Sequence, residues 1–525
     1  MVSRRDFGRS AVASALGAGG AGAAPGPGKG LRAEFGGPSP ASGELVLFPF
    51  DDFSVPLRYR LKVGLVNRAN PFRLHPRVLE KGKPGDPDSY DTAFNGAVLQ
   101  IGDELRMWYL GTDRRGKWRV CYATSKDGLK WEKPALGLVE FNGSKQNNLV
   151  AFDRDDAATV TMLYEPGDPD PGRRFKMIYE VSPFHIGAAF SADGLTWKQP
   201  ANNPILKHNN IEPGGLIKYN GCYYLNGQGG NVGTKRALVT FLSYDFEHWT
   251  DAVAVGLRRD TPPHADIPGP HAGEQIHLGA GVWDRGNVII GIYGQWHGPS
   301  NDRHFVSIDL GLAVSNDALH YREPIPDFQI VSGYEIFRQV HHPEAVPAPA
   351  LNAGQAFANV GNQTFFWYSP WYGGSVCVAT WPRDRLGYFE VVTKPKPNVY
   401  TMEDTHSLNW RQEIKFGPVM TNPHFISCPL RLGESKPRVF VNAEGLSEQS
   451  HLTVEVLDER MAPVPGYTGS DSIPLTQPGL RRPVAWRDRQ ALPKFDQPVR
   501  LKVTWRGARP EDAFVYAVYV VGTGD

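Results

Sequence analysis

Three acidic residues of the 525-residue chain are spaced so that they can meet at one site. Asp91, Asp156 and Glu212 are 65 and 56 residues apart, and each precedes a run of residues typical of a β-strand. Carboxyl groups brought together can divide their roles, because a protonated one donates a proton while an ionised one acts as base or nucleophile. A third carboxylate raises the pKa of the acid by like-charge repulsion. The spacing therefore predicts one carboxylate from each of three successive structural units.

The local sequence around these acids favours a site but leaves alternatives. Asp91 lies in the segment Tyr-Asp-Thr-Ala-Phe-Asn-Gly, where Asn95 is the alternative occupant of the same position. Asp156 follows Asp155 in an acidic loop, and we favour Asp156. Glu212 precedes a Pro and two Gly, which fix the backbone and leave room for a ligand. The competing interpretations are a turn Asp, a solvated loop and a strand-edge Glu, none of which does chemistry.

A repeated cassette organises the middle of the chain. It reads Ser-x-Asp-x-x-x-aromatic and begins at Ser125, Ser191, Ser243 and Ser315, with a degenerate fifth copy starting at Ala379. The Ser and Asp side chains are predicted to bind nearby backbone amides and lock a turn. The aromatic residue is predicted to pack between neighbouring sheets. Each copy follows two short runs rich in Val, Ile, Tyr, Phe and Trp, which indicates strands.

These units predict an all-β fold. Five of them, with roughly 70 residues each, predict a five-bladed β-propeller over residues 45–400. The cassette stops at about residue 416, and the alternating runs that follow predict a separate C-terminal antiparallel β-sandwich over 416–525. Loops on one face of such a propeller are expected to build its site.

Composition and the N-terminal segment limit the class of protein. The formal net charge of +1 shows no excess of basic residues of the kind that is typical of nucleic-acid-binding proteins. No run of 18 apolar residues predicts a transmembrane helix, and four Cys exclude a disulfide scaffold. The start Ser-Arg-Arg-Asp-Phe, followed by an Ala/Gly run, is typical of a twin-arginine export signal. We therefore expect residues 1–32 to be signal peptide and linker, the twin-arginine translocase to be a partner, and the location to be periplasmic or extracellular.

The middle of the chain resembles a known group of enzymes in five segments, namely 107–109, 122–134, 137–143, 273–281 and 309–315. The resemblance is to five-bladed propeller glycosidases of the arabinanase and invertase type, glycoside hydrolase families 43 and 32, and in particular to an exported family-32-like branch. It implies a carbohydrate substrate, with Glu212 as general acid, Asp91 as base or nucleophile and Asp156 as the carboxylate that tunes Glu212. The Asp-Pro context of the family is absent at Asp91.

Further polar and aromatic residues are candidates for binding a sugar, because sugars stack on aromatic rings and bond to polar side chains. Packing between blades is the alternative for the two tryptophans, and a structural role is the alternative for the first histidine. These candidates are Asn95, Glu274, His277, Trp296, His297 and Trp371.

No cofactor is predicted, and a structural or central Ca²⁺ stays open. His341, His342 and Glu344 lack the helical spacing of a zinc motif. Two other functions are compatible with the same fold. One is a carbohydrate-binding propeller without catalysis, and the other is a related glycoside phosphorylase. The phosphorylase needs a basic phosphate pocket, for which the sequence offers Arg258, Arg259 and His264.

Overall fold

The chain is all-β. In the computed structural model, residues 32–33, 43–67, 76–113, 117–154, 156–181, 185–206, 211–229, 235–259, 268–333, 349–371, 374–392, 422–432 and 436–522 are described. Their regular elements are β-strands and short 3-10 helices, including Pro171–Arg173, Arg303–Phe305 and Pro510–Asp512. None of the helices in these ranges has the length and apolar character needed to cross a bilayer.

The strands are short, as the β-branched and aromatic runs predict. In chain order they are β1 (Arg32–Ala33), β2 (Glu44–Leu47), β3 (Leu57–Tyr59), β4 (Leu61–Leu65), β5 (Arg77–Glu80), β6 (Asp91–Ile101), β7 (Glu104–Thr112), β8 (Trp118–Ser125), β9 (Ala157–Tyr164), β10 (Phe175–Val181), β11 (His185–Ser191), β12 (Ile211–Tyr219), β13 (Cys222–Gly229), β14 (Ala237–Ser243), β15 (Ala254–Leu257), β16 (Gly273–Asp284), β17 (Ile289–Gly298), β18 (Ser307–Ser315), β19 (Gln329–Val331), β20 (Leu351–Val360), β21 (Gln363–Pro370), β22 (Ser375–Pro382), β23 (Gly387–Val391), β24 (His424–Ile426), β25 (Leu430–Arg431), β26 (Arg438–Glu444), β27 (His451–Leu457), β28 (Gly479–Pro483), β29 (Arg500–Arg506) and β30 (Phe514–Val521).

The strands between β5 and β22 pair as consecutive antiparallel runs. One sheet has the order β11-β10-β9, and two four-stranded sheets hold β12 to β15 and β16 to β19. A seven-stranded sheet, β5-β22-β21-β20-β6-β7-β8, joins the last run to the first through a parallel pair between β20 and β6. The leading strands β6, β9, β12, β16 and β20 contact one another in ring order, so the runs surround a common axis.

All five leading strands point the same way along this axis. A cavity of about 760 Å³ is lined by the later parts of each of them, including Val98, Leu163, Ile217, Val282 and Phe357. Because their later parts meet at this cavity, their first residues must meet at the opposite end of the axis. The acids near the starts of the leading strands therefore belong to one region of the molecule.

Close approach of backbones shapes the leading strands. Each of them shows a register shift against its neighbour, as at Pro213/Gly215 in β12 and His277/Ala280 in β16. A Cβ at Gly214 would lie 1.9 Å from the carbonyl oxygen of Leu278 on the next leading strand. Only glycine fits there, which gives a packing reason for the Pro-Gly-Gly sequence after Glu212.

The cassette forms the turn that the sequence predicts. The Ser191 hydroxyl accepts hydrogen bonds from the amides of Asp193 and Gly194, and the Asp193 carboxylate accepts from the next two amides. The Trp197 indole N–H donates to the Gly194 carbonyl, and so does that of Trp108 from the preceding run. The copies at 125, 243 and 315 repeat the Ser and Asp bonds. The prediction of a structural turn that ties neighbouring sheets together is confirmed.

The degenerate fifth copy of the cassette contributes a buried acidic residue to the fold. Its Asp384 is buried and forms an ion pair with the buried Arg285 after β16. Asp384 also accepts hydrogen bonds from Tyr519 in β30 and from Asn359 in β20. This residue therefore connects the ring of sheets to the C-terminal strands.

The C-terminal strands form two sheets that also contain strands from the start of the chain. A six-stranded sheet contains β28-β26-β30-β23-β4, with β2 also paired to β30, and a four-stranded sheet has the order β27-β29-β24-β3. The apolar side chains of both sheets share one core that includes Val441, Trp486 and Trp505. Strand pairing thus groups residues 44–65 and 387–391 with the C-terminal strands, although the sequence analysis counts both segments within 45–400.

Candidate functional site

Glu212 lies at the second position of the leading strand β12. It is partly buried, and burial raises its pKa, although the charges of Arg236 and Arg303 oppose the rise. No described residue forms an ion pair with its carboxylate. A carboxyl group in this environment keeps its proton to higher pH than one in water, which suits a proton donor.

A second carboxyl group, which the sequence analysis missed, interacts electrostatically with Glu212. Glu180 is the penultimate residue of β10, is 7 % exposed and accepts a 3.4 Å hydrogen bond from the Thr159 hydroxyl. Burial and the charge of Glu212 raise the pKa of Glu180 to about 8. Two neighbouring carboxyls titrate as a pair, and the second proton leaves against the negative charge that the first ionisation creates. The pair therefore retains one proton up to about pH 8.

Asp91 is the first residue of the leading strand β6 and is 4 % exposed. Its Oδ1 atom accepts hydrogen bonds from the backbone amides of Thr92 at 2.8 Å and Gly374 at 2.9 Å. Two N–H donors stabilise the charged form of a carboxyl group, which suits a base or nucleophile. Asn95 lies at the register shift of the same strand, and its Oδ1 is buried without a hydrogen bond from any described residue.

Asp156 is turned toward a partner within its own loop. Its carboxylate forms a two-pronged ion pair with Arg154 at 2.9 and 3.0 Å, and the side chain is 43 % exposed. The charge of Asp156 acts on Tyr179, which is next to Glu180 in β10 and points to the opposite face of that strand. The structure thus places Glu180, rather than Asp156, beside Glu212. Asp155 lies outside the described residues.

Two arginines extend over two tryptophans next to Glu212. The Arg236 guanidinium lies 4.3 Å from the ring centroid of Trp296, and that of Arg303 lies 5.0 Å from the ring centroid of Trp371. Trp296 is fully buried and donates its indole N–H to the His271 carbonyl at 2.9 Å, so it packs and supports Arg236 rather than offering a free face. Trp371 is only partly buried.

His277 fills the space between the two tryptophans. Its ring centroid is 5.9 Å from that of Trp296 and 5.2 Å from that of Trp371. The residue is 6 % exposed, and its Nδ1 has no hydrogen-bond partner among the described residues. Burial, together with the charges of Arg236 and Arg303, lowers the pKa of His277 to about 3. The imidazole is therefore neutral at physiological pH and available as a hydrogen-bonding group.

Glu274 and His297 belong to an internal ion network instead. His297 Nδ1 lies 2.7 Å from Glu274, and Nε2 lies 3.3 Å from Asp309. Although burial opposes the charge, the Asp309 and Glu274 carboxylates raise the pKa of His297 to about 9. Arg259 also pairs with Glu274 at 2.8 Å and with Asp327 at 2.6 Å. The carboxylates thus engage Arg259, which the sequence analysis offered for phosphate.

The search for a metal site covers only the part of the chain that the structure describes. Among the residues that the structure describes, no group of three or more His, Cys, Asp and Glu side chains is arranged to hold a metal ion. His264, His341, His342 and Glu344 lie outside the described residues.

Comparison with known proteins gives only distant similarities. The sequence matches no protein-family model and no curated protein. Among solved structures, the chain is similar to a glycosyl hydrolase from Bacteroides ovatus, with 16% identity, a TM-score of 0.43, and coverage of 62% of this chain and 94% of that one. It is also similar to an endo-1,4-β-xylanase from Bacteroides thetaiotaomicron, with 13% identity, a TM-score of 0.37, and coverage of 57% and 91%.

A third similar structure concerns the GH130 family of mannoside phosphorylases, which contains glycoside hydrolases that target β-1,2 mannosidic linkages in Candida mannan. Identity is 13%, the TM-score is 0.40, and coverage is 61% of this chain and 97% of that one. Because the identities and TM-scores are low, the argument for function rests on the geometry of the site itself.

Proposed function

We propose that the chain is an exported glycoside hydrolase that cleaves glycosidic bonds of oligo- or polysaccharides. In this proposal, the antiparallel runs between β5 and β22 are the blades of a five-bladed β-propeller, and the C-terminal strands with residues 44–65 form a β-sandwich. The ring-order contacts of the five leading strands support the propeller, and the shared core of the two terminal sheets supports the sandwich. Export by the twin-arginine route rests on the N-terminal sequence alone.

The observation that carries the proposal is the carboxyl pair of Glu212 and Glu180 at the end of the axis where the leading strands begin. Glycoside cleavage needs a proton for the leaving oxygen and an ionised carboxylate on the other side of the bond. The pair keeps a proton at neutral pH, and Glu212 is its more exposed member. Glu212 therefore donates the proton, while Glu180 acts as a positioning residue behind it.

Asp91 supplies the opposite carboxylate in this mechanism. It begins a different leading strand, and its two amide donors hold the carboxylate in place. Asp91 either activates a water or attacks the anomeric carbon directly, and the proton from Glu212 goes to the departing oxygen. The tuning role that the resemblance implies for Asp156 passes to Glu180 in this proposal.

The test uses the full chain against a panel of aryl glycosides and plant and microbial polysaccharides. We expect Glu212→Gln and Asp91→Asn each to lower kcat on a cleaved substrate by about 100-fold or more, with melting temperatures close to that of the parent. Glu132→Gln, which alters an exposed Glu on another part of the first run, is the matched control. Full activity in both site variants would reject the assignment. Sugar binding without cleavage across the panel would instead favour a non-catalytic carbohydrate-binding protein.

A further inference from the structure

Arg236 is partly buried, and it stands out among the described arginines with little exposed surface because its guanidinium forms no ion pair. Arg259, Arg285 and Arg385 are buried too, and each forms an ion pair with a carboxylate. Arg236 has no ion pair or side-chain hydrogen bond with a described residue, and its Nη1 is buried without an acceptor. Leaving a buried charge unpaired is costly, so such a group calls for a ligand.

A second arginine and a histidine accompany Arg236. Burial and the charge of Arg303 lower the pKa of Arg236, while the charge of Glu212 opposes them. The His277 ring connects the two arginines, because it contacts Trp296 beneath Arg236 and Trp371 beneath Arg303. Arg303 is exposed, lies over Trp371 and has no ion pair with a described residue. The buried Nδ1 of His277 is a further unpartnered polar atom at the same place. Two cations that form no ion pair with a described residue, and a neutral imidazole with an unpartnered nitrogen, thus form a receptor for negative charge beside Glu212.

We propose that this pocket binds an oxyanion group, held between Arg236 and Arg303 and adjacent to Glu212. A planar guanidinium with free N–H groups matches the oxygens of a carboxylate or a phosphate. The oxyanion has two possible sources. One is the carboxylate of an acidic sugar in the substrate, and the other is inorganic phosphate as a co-substrate.

The inference rests on the proposed function, because it names the substrate class of the same site. With phosphate, the glycosidic C–O bond breaks, a phosphate oxygen forms the new bond to the anomeric carbon, and the leaving oxygen takes the proton of Glu212. With an acidic sugar, water or Asp91 attacks and the oxyanion only orients the substrate. The same pocket chemistry serves both, and the products tell them apart.

Binding is measured first, because it needs no turnover. Titration calorimetry at pH 7 compares inorganic phosphate, D-glucuronate and D-glucose, of which the last two differ only in the carboxylate at C6. We expect phosphate or glucuronate to bind at least 10-fold more tightly than glucose. Arg303→Gln and Arg236→Lys should each weaken that binding by about 10- to 100-fold, the range for losing a hydrogen bond to a charged group. Arg303 is exposed, so its variant should fold normally. Arg106→Gln, which alters an arginine paired with Glu104 on β7, is the matched control.

Each outcome decides the inference. Preferential glucuronate binding assigns an acidic sugar, and phosphate binding with phosphate-dependent release of a sugar phosphate assigns phosphorolysis. The inference is wrong if neither anion binds more tightly than glucose. It is also wrong if both arginine variants bind the anion as tightly as the parent does. These readouts separate it from the proposed function. If the protein cleaves neutral glycosides and Arg303→Gln does not change that activity, the proposed hydrolase function stands and the anion site is rejected. If anions bind in an arginine-dependent way and no substrate is cleaved, the anion site stands and the proposed hydrolase function is rejected.

Discussion

Replacing Glu180 by Gln should remove a specific pH dependence from the stability of the protein. The pKa of Glu180 is raised from 4.5 to about 8 in the folded chain. Between these values the unfolded chain has released the proton and the folded chain has kept it, so unfolding releases a proton and stability falls as pH rises. The slope is about 1.4 kcal/mol per pH unit, which amounts to roughly 4 to 5 kcal/mol across the whole window.

The Gln variant has a neutral side chain of the same shape at every pH. It should match the parent near pH 4.5 and become progressively more stable than the parent as the pH approaches 8. The assay is a series of thermal melts from pH 4.5 to 8.5 on the parent, Glu180→Gln and the exposed control Glu132→Gln. Because other groups titrate in this range, the quantity to examine is the difference in melting temperature from the parent. A difference for Glu180→Gln that stays constant with pH would refute a raised pKa at this residue.

Two further predictions concern the framework that holds the site. Gly194→Ala should cost about 2 to 4 kcal/mol, since its φ is +79° and the new Cβ would lie 2.7 Å from the Trp108 ring. Gly137→Ala has a similar φ of +71° in open space, so the difference in melting temperature between the two variants measures the packing contribution alone. Asp384→Asn should lower stability by about 3 to 5 kcal/mol in urea unfolding, because it leaves Arg285 buried beside an uncharged group. An unchanged midpoint for Asp384→Asn would show that this ion pair does not stabilise the contact with the C-terminal strands.

The features that sequence reveals best here are local. The cassette at Ser191 is recognisable because its hydrogen bonds join residues two and three positions apart, and short-range chemistry is visible in a linear pattern. Strands such as β17 and β18 are recognisable from their high content of Ile, Leu, Val and aromatic residues, since both are almost wholly buried. Glu212 is recognisable because the Pro and Gly residues that follow it allow the close backbone packing of its own strand.

Features that depend on how distant strands meet are hidden from the sequence. Glu180 reads as a polar residue near the end of a strand, and only the position of β12 beside that face makes it a partner of Glu212. One signal does exist, namely a Glu between Tyr179 and Val181 at the end of a mostly apolar strand. Similarly, the pairing of β2 with β30 joins segments more than 470 residues apart, which no local pattern encodes.

The charges around Glu212 give the proposed anion site a second consequence. Burial raises the pKa of Glu212, while the positive charges of Arg236 and Arg303 pull it down. These arginines therefore oppose the protonated state that a general acid needs. An oxyanion bound between them would cancel their charge and leave burial as the remaining influence on the pKa of Glu212. The acid would then hold its proton most firmly when the ligand is in place, which couples recognition of the substrate to readiness for proton transfer.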